Sequence, residues 1–233
     1  MLGIIAGRAR RDGLAVLAAM HSAPGDGAPE GAGTLVLLGP AGRAWERAFA
    51  AGPEAGDGRP DPVDRWSRRV IGRMAADLGA RALYPFDGPP WPPVIRWALA
   101  SGWCHSSPVG MLVHPQAGLW FSCRGVLALA PAIALPQPPA SPCAACRGQP
   151  CRSACPVAAL GGGGYDVAAC LGHLGGAGRT GCLALGCAVR HACPAGAAFR
   201  PEPAQAARHM AAFLAGASGA RPRGISGRGE KEG

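Results

Sequence analysis

The sequence CAACRGQPCRSACP at residues 143–156 begins the cysteine-rich stretch that organises the second half of the chain. Four further cysteines follow at positions 170, 182, 187 and 193, and the last of them precedes Pro194. Eight of the ten cysteines therefore lie in this stretch, and two of its runs end in Cys-Pro. Eight thiols are what a pair of four-iron clusters needs, because each [4Fe–4S] cluster is held by four cysteine thiolates.

This layout resembles that of bacterial ferredoxins with two clusters. In those proteins three closely spaced cysteines hold one cluster, and the cysteine before proline ligates the other. The same rule assigns the cysteines of this chain to two groups. The first cysteine group is Cys143, Cys146, Cys151 and Cys193, and the second cysteine group is Cys155, Cys170, Cys182 and Cys187. The crossing of Cys155 and Cys193 would join the two halves of the stretch.

Two gaps are longer than in the common ferredoxin run. Four residues separate Cys146 from Cys151, and four separate Cys182 from Cys187. Glycines are frequent between residues 161 and 186. Glycine accepts a positive φ and lets backbone N–H groups approach the sulfides of a cluster closely. The longer loops would therefore widen the peptide cradle without removing a thiolate.

Structural zinc and a disulfide framework are the alternatives for so many cysteines. Zinc sites also use Cys-x2-Cys pairs, but each ion typically binds two similar pairs, and a Cys-Pro ending is not required. Disulfides need an oxidising compartment, and residues 1–8 contain no long apolar core of a secretory signal. We therefore favour iron–sulfur clusters and expect a cytoplasmic protein.

Composition limits the classes of partner. The 233 residues suffice for one ordinary domain and a small metal-stabilised one, and no apolar run is long enough to span a membrane. The formal net charge of +9 comes from scattered arginines, with Lys231 as the only lysine. Two bound clusters, each with a net charge of about −2, would offset much of this excess. We therefore predict neither a nucleic acid nor a membrane as a partner.

The first half of the chain alternates helix and strand signals, which predicts an α+β fold. We expect helices at 14–20, 43–50, 61–78 and 94–100, and strands at 34–38, 81–84, 109–114 and 119–129. Asp61-Pro62 is typical of a helix N-terminus. Four arginines of that helix are expected on a solvated face rather than at a phosphate: Arg65, Arg68, Arg69 and Arg73. Along the last strand, Leu119, Phe121 and Cys123 would share one face.

Composition shifts suggest the domain boundaries. We expect a poorly defined segment at 1–32, a first domain at 33–130, a proline-rich linker at 131–142 and a two-cluster domain at 143–200. A helix should cover 204–215 within a C-terminal segment at 201–215. The glycine-rich residues 216–233 read as a disordered tail.

The first domain resembles the CblC-type cobalamin-processing domain. The sequence HPQAGLWFSCRGV at 114–126 is similar to a His-Pro-x-x-Gly-x-Trp-Phe-x-x-Arg-Gly-Val segment of that family, and DPVD at 61–64 and the proline-rich loop after Tyr84 add to the likeness. The resemblance covers roughly residues 30–140 and implies a flavin-reductase-like fold. It also implies a corrinoid site near Arg124. His114 matches a motif histidine, either beside the corrinoid or satisfying backbone groups of its own turn.

The second half is similar to the two-cluster module of epoxyqueuosine reductases, in which Cys170 matches an isolated cysteine of the module. The combined resemblance implies a CblC-like α/β domain followed by a small ferredoxin-like domain. It implies an oxidoreductase that passes electrons from two [4Fe–4S] clusters to cobalamin, supplied by a ferredoxin, a flavodoxin or a reductase. The alternative is a ferredoxin-like carrier without a corrinoid, whose first domain binds a protein partner.

Overall fold

The computed structural model describes residues 1–161 and 164–217. Its centre is a four-stranded antiparallel sheet with the strand order β1-β2-β6-β3. The strands of this sheet are β1 (Leu14–His21), β2 (Thr34–Pro40), β3 (Arg81–Leu83) and β6 (Gly125–Leu129). Short strands β4 (His105–Ser106) and β5 (Leu112–Val113) pair with each other, as do β7 (Leu160–Gly161) and β8 (Gly164–Tyr165). The mixture of helices and antiparallel strands agrees with an α+β fold.

Helices cover both faces of this sheet. The α-helices among the described residues are α1 (Leu2–Arg11), α2 (Arg43–Ala50), α3 (Pro62–Leu78), α4 (Val94–Ala100), α5 (Val167–Gly175), α6 (Ala188–Ala192) and α7 (Pro203–Ala217). Val36 and Leu38 of β2 pack with α1, α2 and α3, whereas Leu35 and Leu37 pack with α4 on the opposite face. Because both faces are covered, the strand can be apolar at every position, as its sequence predicts.

Three aromatic side chains hold α2 and α3 together over the sheet. Trp45 stacks on Phe49 at 5.3 Å between ring centroids, and Trp66 meets the edge of Trp45 at 5.9 Å. All three side chains are buried. Such pairs add to the free energy gained from burying apolar area, so this triangle is a main source of stability in the first half.

The expected helix at 14–20 is wrong, because these residues form β1 and pair with β2 along seven partners. A β-bulge between Val16 and Ala18 shifts the register of that pairing. Leu14 and Val16 consequently face α1 and α3, while Ala18 and Met20 face α4. A bulge breaks the alternation that identifies a strand, which explains why the sequence resembles a helix here. The expectation that residues 1–32 are poorly defined is also wrong.

The helices expected at 43–50, 61–78 and 94–100 are confirmed, as are the strands expected at 34–38 and 81–84. The arginines of α3 are not simply solvated, because each forms an ion pair with a carboxylate of a neighbouring segment. The pairs are Arg65–Asp57, Arg68–Asp87, Arg69–Glu54 and Arg73–Asp12. The hydrogen bond from Arg69 lowers the pKa of the nearly buried Glu54.

The two long strands expected at 109–114 and 119–129 are only partly confirmed. The first is reduced to β5, and the second is confined to β6. A tight turn closes between them, in which His114 and Gly118 exchange backbone hydrogen bonds of 3.0 and 2.7 Å. Leu119 packs towards the cysteine-rich half, while Phe121 and Cys123 pack on the α4 side of the sheet. The predicted common face for these three residues is therefore wrong.

Residues 131–142 contain neither helix nor strand, but they contact the first half of the chain. The Thr34 hydroxyl donates to the carbonyl of Pro131 at 2.9 Å and accepts from the backbone N–H of Ile133 at 3.0 Å. Ile133 is buried against the core on the α3 side of the sheet. The helix expected at 204–215 is confirmed as α7, whereas residues 218–233 of the expected tail lie outside the described residues.

Within residues 1–161 and 164–217, no helix is both long enough and apolar enough to cross a membrane.

Replacing Trp66 with alanine should lower the free energy of unfolding by about 3–5 kcal/mol, because it removes a large side chain from the buried aromatic triangle. Urea denaturation followed by circular dichroism measures the change. Trp91→Ala is the matched control, because Trp91 is 47% exposed and its loss should cost no more than about 0.5 kcal/mol. Equal losses in the two variants would contradict the assigned core.

Candidate metal centres

The first cysteine group lines one cavity. Cys143 and Cys146 come from an irregular loop, Cys151 from a short 3₁₀ turn at Pro150–Arg152, and Cys193 from the residue that follows α6. Gln149 begins the 3₁₀ turn with a φ of +36°, which directs the chain back towards the cavity. Cysteines from both ends of the stretch therefore meet at one place.

The remaining walls of this first cavity are apolar or neutral and come from both halves of the chain. Val113 and Leu119 belong to the first half and are buried beside Cys151, Val189 and Cys193. The space between the four cysteines measures about 20 Å³, little more than one water molecule needs. A larger group requires the loop between Cys146 and Cys151 to move outward, and the residues of that loop are largely exposed.

The second cysteine group lines a separate and larger cavity of about 250 Å³. Cys170 lies on α5, whose N-terminus is capped by Asp166 accepting a hydrogen bond of 2.8 Å from the backbone N–H of Ala169. Cys182 lies in a wide helical turn at Arg179–Leu183, and Cys187 immediately precedes α6. Further walls come from other residues of the stretch and from α7: Tyr165, His173, Arg190, His209, Met210 and Phe213.

The thiols of each group are close enough to affect one another's pKa. Burial raises the pKa of Cys143, and the neighbouring thiolates of Cys151, Cys193 and Cys146 raise it further. In the second group, burial raises the pKa of Cys170, and the thiolates of the other three members again add to the rise. Four thiolates around one space therefore repel one another, and a bound cationic group would relieve that repulsion.

All ten cysteines carry free thiols. Among the described residues, no three His, Cys, Asp or Glu side chains converge closely enough to hold a single metal ion. The cysteine groups instead surround spaces, so each is arranged around a cavity rather than around one point.

The first cavity is attached to the sheet through a contact between two backbones. Gly118, in the turn after His114, lies directly against the backbone of Ala195, and Gly196 lies directly against the backbone of Ala117. Gly118 has a φ of +55° and Gly196 a φ of +86°. A Cβ atom at either glycine would lie far inside van der Waals contact with a backbone carbonyl, so this close approach requires glycine on both sides.

Arg124 and His114, the residues expected at a corrinoid, line neither cavity. The Arg124 guanidinium donates to Asp64 and, at 3.3 Å, to Ser67, so it fastens its strand to α3. The Nδ1 atom of His114 accepts backbone N–H bonds from Gln116 and Ala117 at 3.1 and 3.0 Å. Burial lowers the pKa of His114 to about 4, so the imidazole is neutral and stabilises its own turn.

Sequence analysis missed two residues of the second cavity. Tyr165 ends β8, five residues before Cys170, and its hydroxyl lies near the Cys170 thiol. Arg190 follows Cys187 on α6 and places its guanidinium 5.8 Å from the centroid of the Trp120 ring. Their short separation in sequence from the cysteines was the only signal, because the cavity forms only once α6 and α7 both contribute to its walls.

No family model matches the sequence, and no curated protein matches it.

Replacing Gly118 with alanine should separate the first cavity from the sheet. Gly110→Ala is the matched control, because Gly110 also has a positive φ, of +73°, but has no other atoms close to where its Cβ would lie. The control should cost about 1–2 kcal/mol for backbone strain, and Gly118→Ala about 1–3 kcal/mol more for the clash. Urea denaturation measures the difference, and equal costs would contradict the assigned contact.

The two cysteines outside the groups should resist alkylation. Burial raises the pKa of both Cys104 and Cys123 to about 12, so very little reactive thiolate is present at pH 8. In metal-free folded protein, iodoacetamide should therefore modify residues of the cysteine groups and spare these two. Peptide mass spectrometry identifies the modified sites, and protein unfolded in urea provides the fully reactive control. Rapid modification of Cys104 in folded protein would contradict its burial.

Proposed function

We propose that this chain is an electron-transfer protein that holds two [4Fe–4S] clusters, one in each cysteine-lined cavity. One observation carries the proposal: each cavity is lined by four cysteines, and these are the sets that the crosswise ferredoxin rule assigns. Cys193 lines the first cavity with three cysteines from the beginning of the stretch, and Cys155 lines the second cavity with three cysteines that follow it in sequence. Four separate cysteines per cavity is also the number that each cluster needs.

A bound cluster supplies reversible one-electron chemistry, and the residues of the chain supply its surroundings. The thiolates hold it, and their mutual repulsion makes a cationic iron core the favourable occupant of each group. Val113 and Leu119 exclude water from the first site. Burial of this kind, together with hydrogen bonds to sulfur, sets the reduction potential.

Zinc is the main competing occupant of such cysteines. A structural zinc ion needs four ligands at about 2.3 Å from one point, whereas a four-iron core needs thiols spread around a larger volume. The second cavity, at about 250 Å³, favours the larger group. The first, at about 20 Å³, admits it only when the exposed loop between Cys146 and Cys151 moves outward. Anaerobically purified protein should therefore be brown and contain labile sulfide, and a colourless zinc protein would refute the proposal.

The expected transfer of electrons to a corrinoid stays a prediction. The two residues named for it are engaged within the chain, Arg124 with Asp64 and Ser67, and His114 with its own turn. We therefore leave them out of the proposed site and place the proposed function in the cysteine-rich half. A ferredoxin-like carrier needs ligands only from this half, although Val113 and Leu119 of the first half wall the first site. A one-electron donor would supply its electrons.

The crossing of the two groups can be tested by single substitutions. Cys193→Ser should remove the first cluster, and Cys155→Ser the second, because each serine deprives its cavity of one of four thiolates. Iron should fall from about eight to about four atoms per chain in either variant. Iron and sulfide analysis with EPR measures the loss.

Cys123→Ser is the matched control, because Cys123 lines neither cavity and both clusters should remain. If Cys155→Ser instead loses the cluster of Cys143, Cys146 and Cys151, then Cys155 ligates the cluster nearest to it in sequence, and the proposed ligand exchange between the groups is wrong.

A further inference from the structure

The two cavities differ in the charge of their walls. Apart from its cysteines, the described residues that line the first cavity are all apolar or uncharged polar: Ser107, Pro108, Val113, Leu119, Pro142, Gln149, Pro194 and Ala195. The second cavity is lined by Arg190 and two histidines, and also by the hydroxyl-bearing Tyr165. Within residues 1–161 and 164–217, no carboxylate lines either cavity. The negative charge of an added electron would therefore be stabilised to a different degree at the two sites.

Arg190 supplies a fixed positive charge to the second cavity. Among the described residues, it forms no ion pair with a carboxylate, in contrast to the four arginines paired along α3. It is partly buried, and that burial lowers the pKa of its guanidinium, while the nearby thiolate of Cys187 opposes the shift. A partly desolvated cation without a carboxylate partner is stabilised by negative charge in the cavity that it faces.

Tyr165 supplies a hydrogen bond to the same cavity. Its hydroxyl lies against the thiol of Cys170, and it can donate to the thiolate that would bind a cluster. Its ring stacks on Phe213 of α7, with 6.3 Å between ring centroids and 26° between ring planes, which holds the ring beside the cavity. Hydrogen bonds to cluster sulfurs are one of the means by which a protein sets reduction potential.

We infer that Arg190 and Tyr165 make the second site the higher-potential one, so that electrons enter at the first cysteine group and leave at the second. This inference rests on the proposed binding of two clusters. Electron transfer between the two clusters conserves electrons, because the first site loses the one electron that the second site gains. The oxidation state of the protein as a whole does not change in this step. A low-potential one-electron donor reduces the first site, and an oxidised acceptor recovers the electron from the second.

The experiment is a redox titration of the full-length, cluster-loaded protein with dithionite, followed by EPR. The Cys193→Ser and Cys155→Ser variants assign each signal to its site. Arg190→Met should lower the ratio of reduced to oxidised second cluster at least tenfold at a fixed potential, which equals a shift of 59 mV for a one-electron couple. The first cluster should keep its potential. Tyr165→Phe should lower the second potential in the same direction by a smaller amount.

Two controls separate charge from structure. Arg190→Lys keeps the positive charge and should restore most of the wild-type potential. Arg10 is an exposed residue of α1, so Arg10→Met also removes one positive charge but should shift the reduction potential of neither cluster. If Arg190→Met fails to assemble its second cluster, Tyr165→Phe decides the question, because it removes only a hydroxyl.

Unchanged second potentials in Tyr165→Phe and in an assembled Arg190→Met, or a first cluster that is reduced more easily than the second, would overturn the inference. These outcomes differ from failure of the proposed function, in which the wild-type protein itself would contain no iron and no labile sulfide.

Discussion

The structure depends on bringing thiols that are far apart in sequence around a single space. Cys193 reaches the first cysteine group only because α6 turns back on the 3₁₀ segment at Pro150–Arg152. Cys155 correspondingly belongs with the cysteines that come after it in the chain. The first group therefore cannot form from one contiguous part of the stretch, whereas the second lies wholly within residues 155–187. When deprotonated without a bound group, the four cysteines of a cavity would repel one another, so binding, deprotonation and the stability of the stretch are coupled.

The two halves of the chain use charge differently. In the first half, arginines are paired with carboxylates, and these pairs connect α3 to neighbouring segments. Arg124 fastens the central strand β6 to the same helix through Asp64. In the described part of the cysteine-rich half, no arginine forms an ion pair with a carboxylate. In the first half, charged side chains form contacts within the protein. In the cysteine-rich half, arginines without carboxylate partners remain near the sites where anionic clusters would be bound.

The sequence was sufficient to predict the regular elements with clear periodicity and marked ends. α3 is the best example, because Pro62 and Gly79 mark its ends and its apolar residues recur at helical spacing. β1 could not be recognised, because its bulge changes which face the apolar residues occupy. Residues 119–124 look like a strand by composition, but Leu119 is drawn towards the cysteines while the following residues return to the sheet. The cysteine groups follow from the resemblance to two-cluster ferredoxins, whereas Arg190 and Tyr165 acquire their place only from tertiary packing.

The contact of Gly118 with Ala195 and of Gly196 with Ala117 joins the halves by main chain alone. At this point the separation of the two segments is set by backbone atoms, while Val113 and Leu119 add side-chain packing beside it. Neither glycine could be replaced independently during evolution, because each faces a backbone carbonyl of the other segment. Related chains should therefore retain this pair of glycines even where the neighbouring core has diverged.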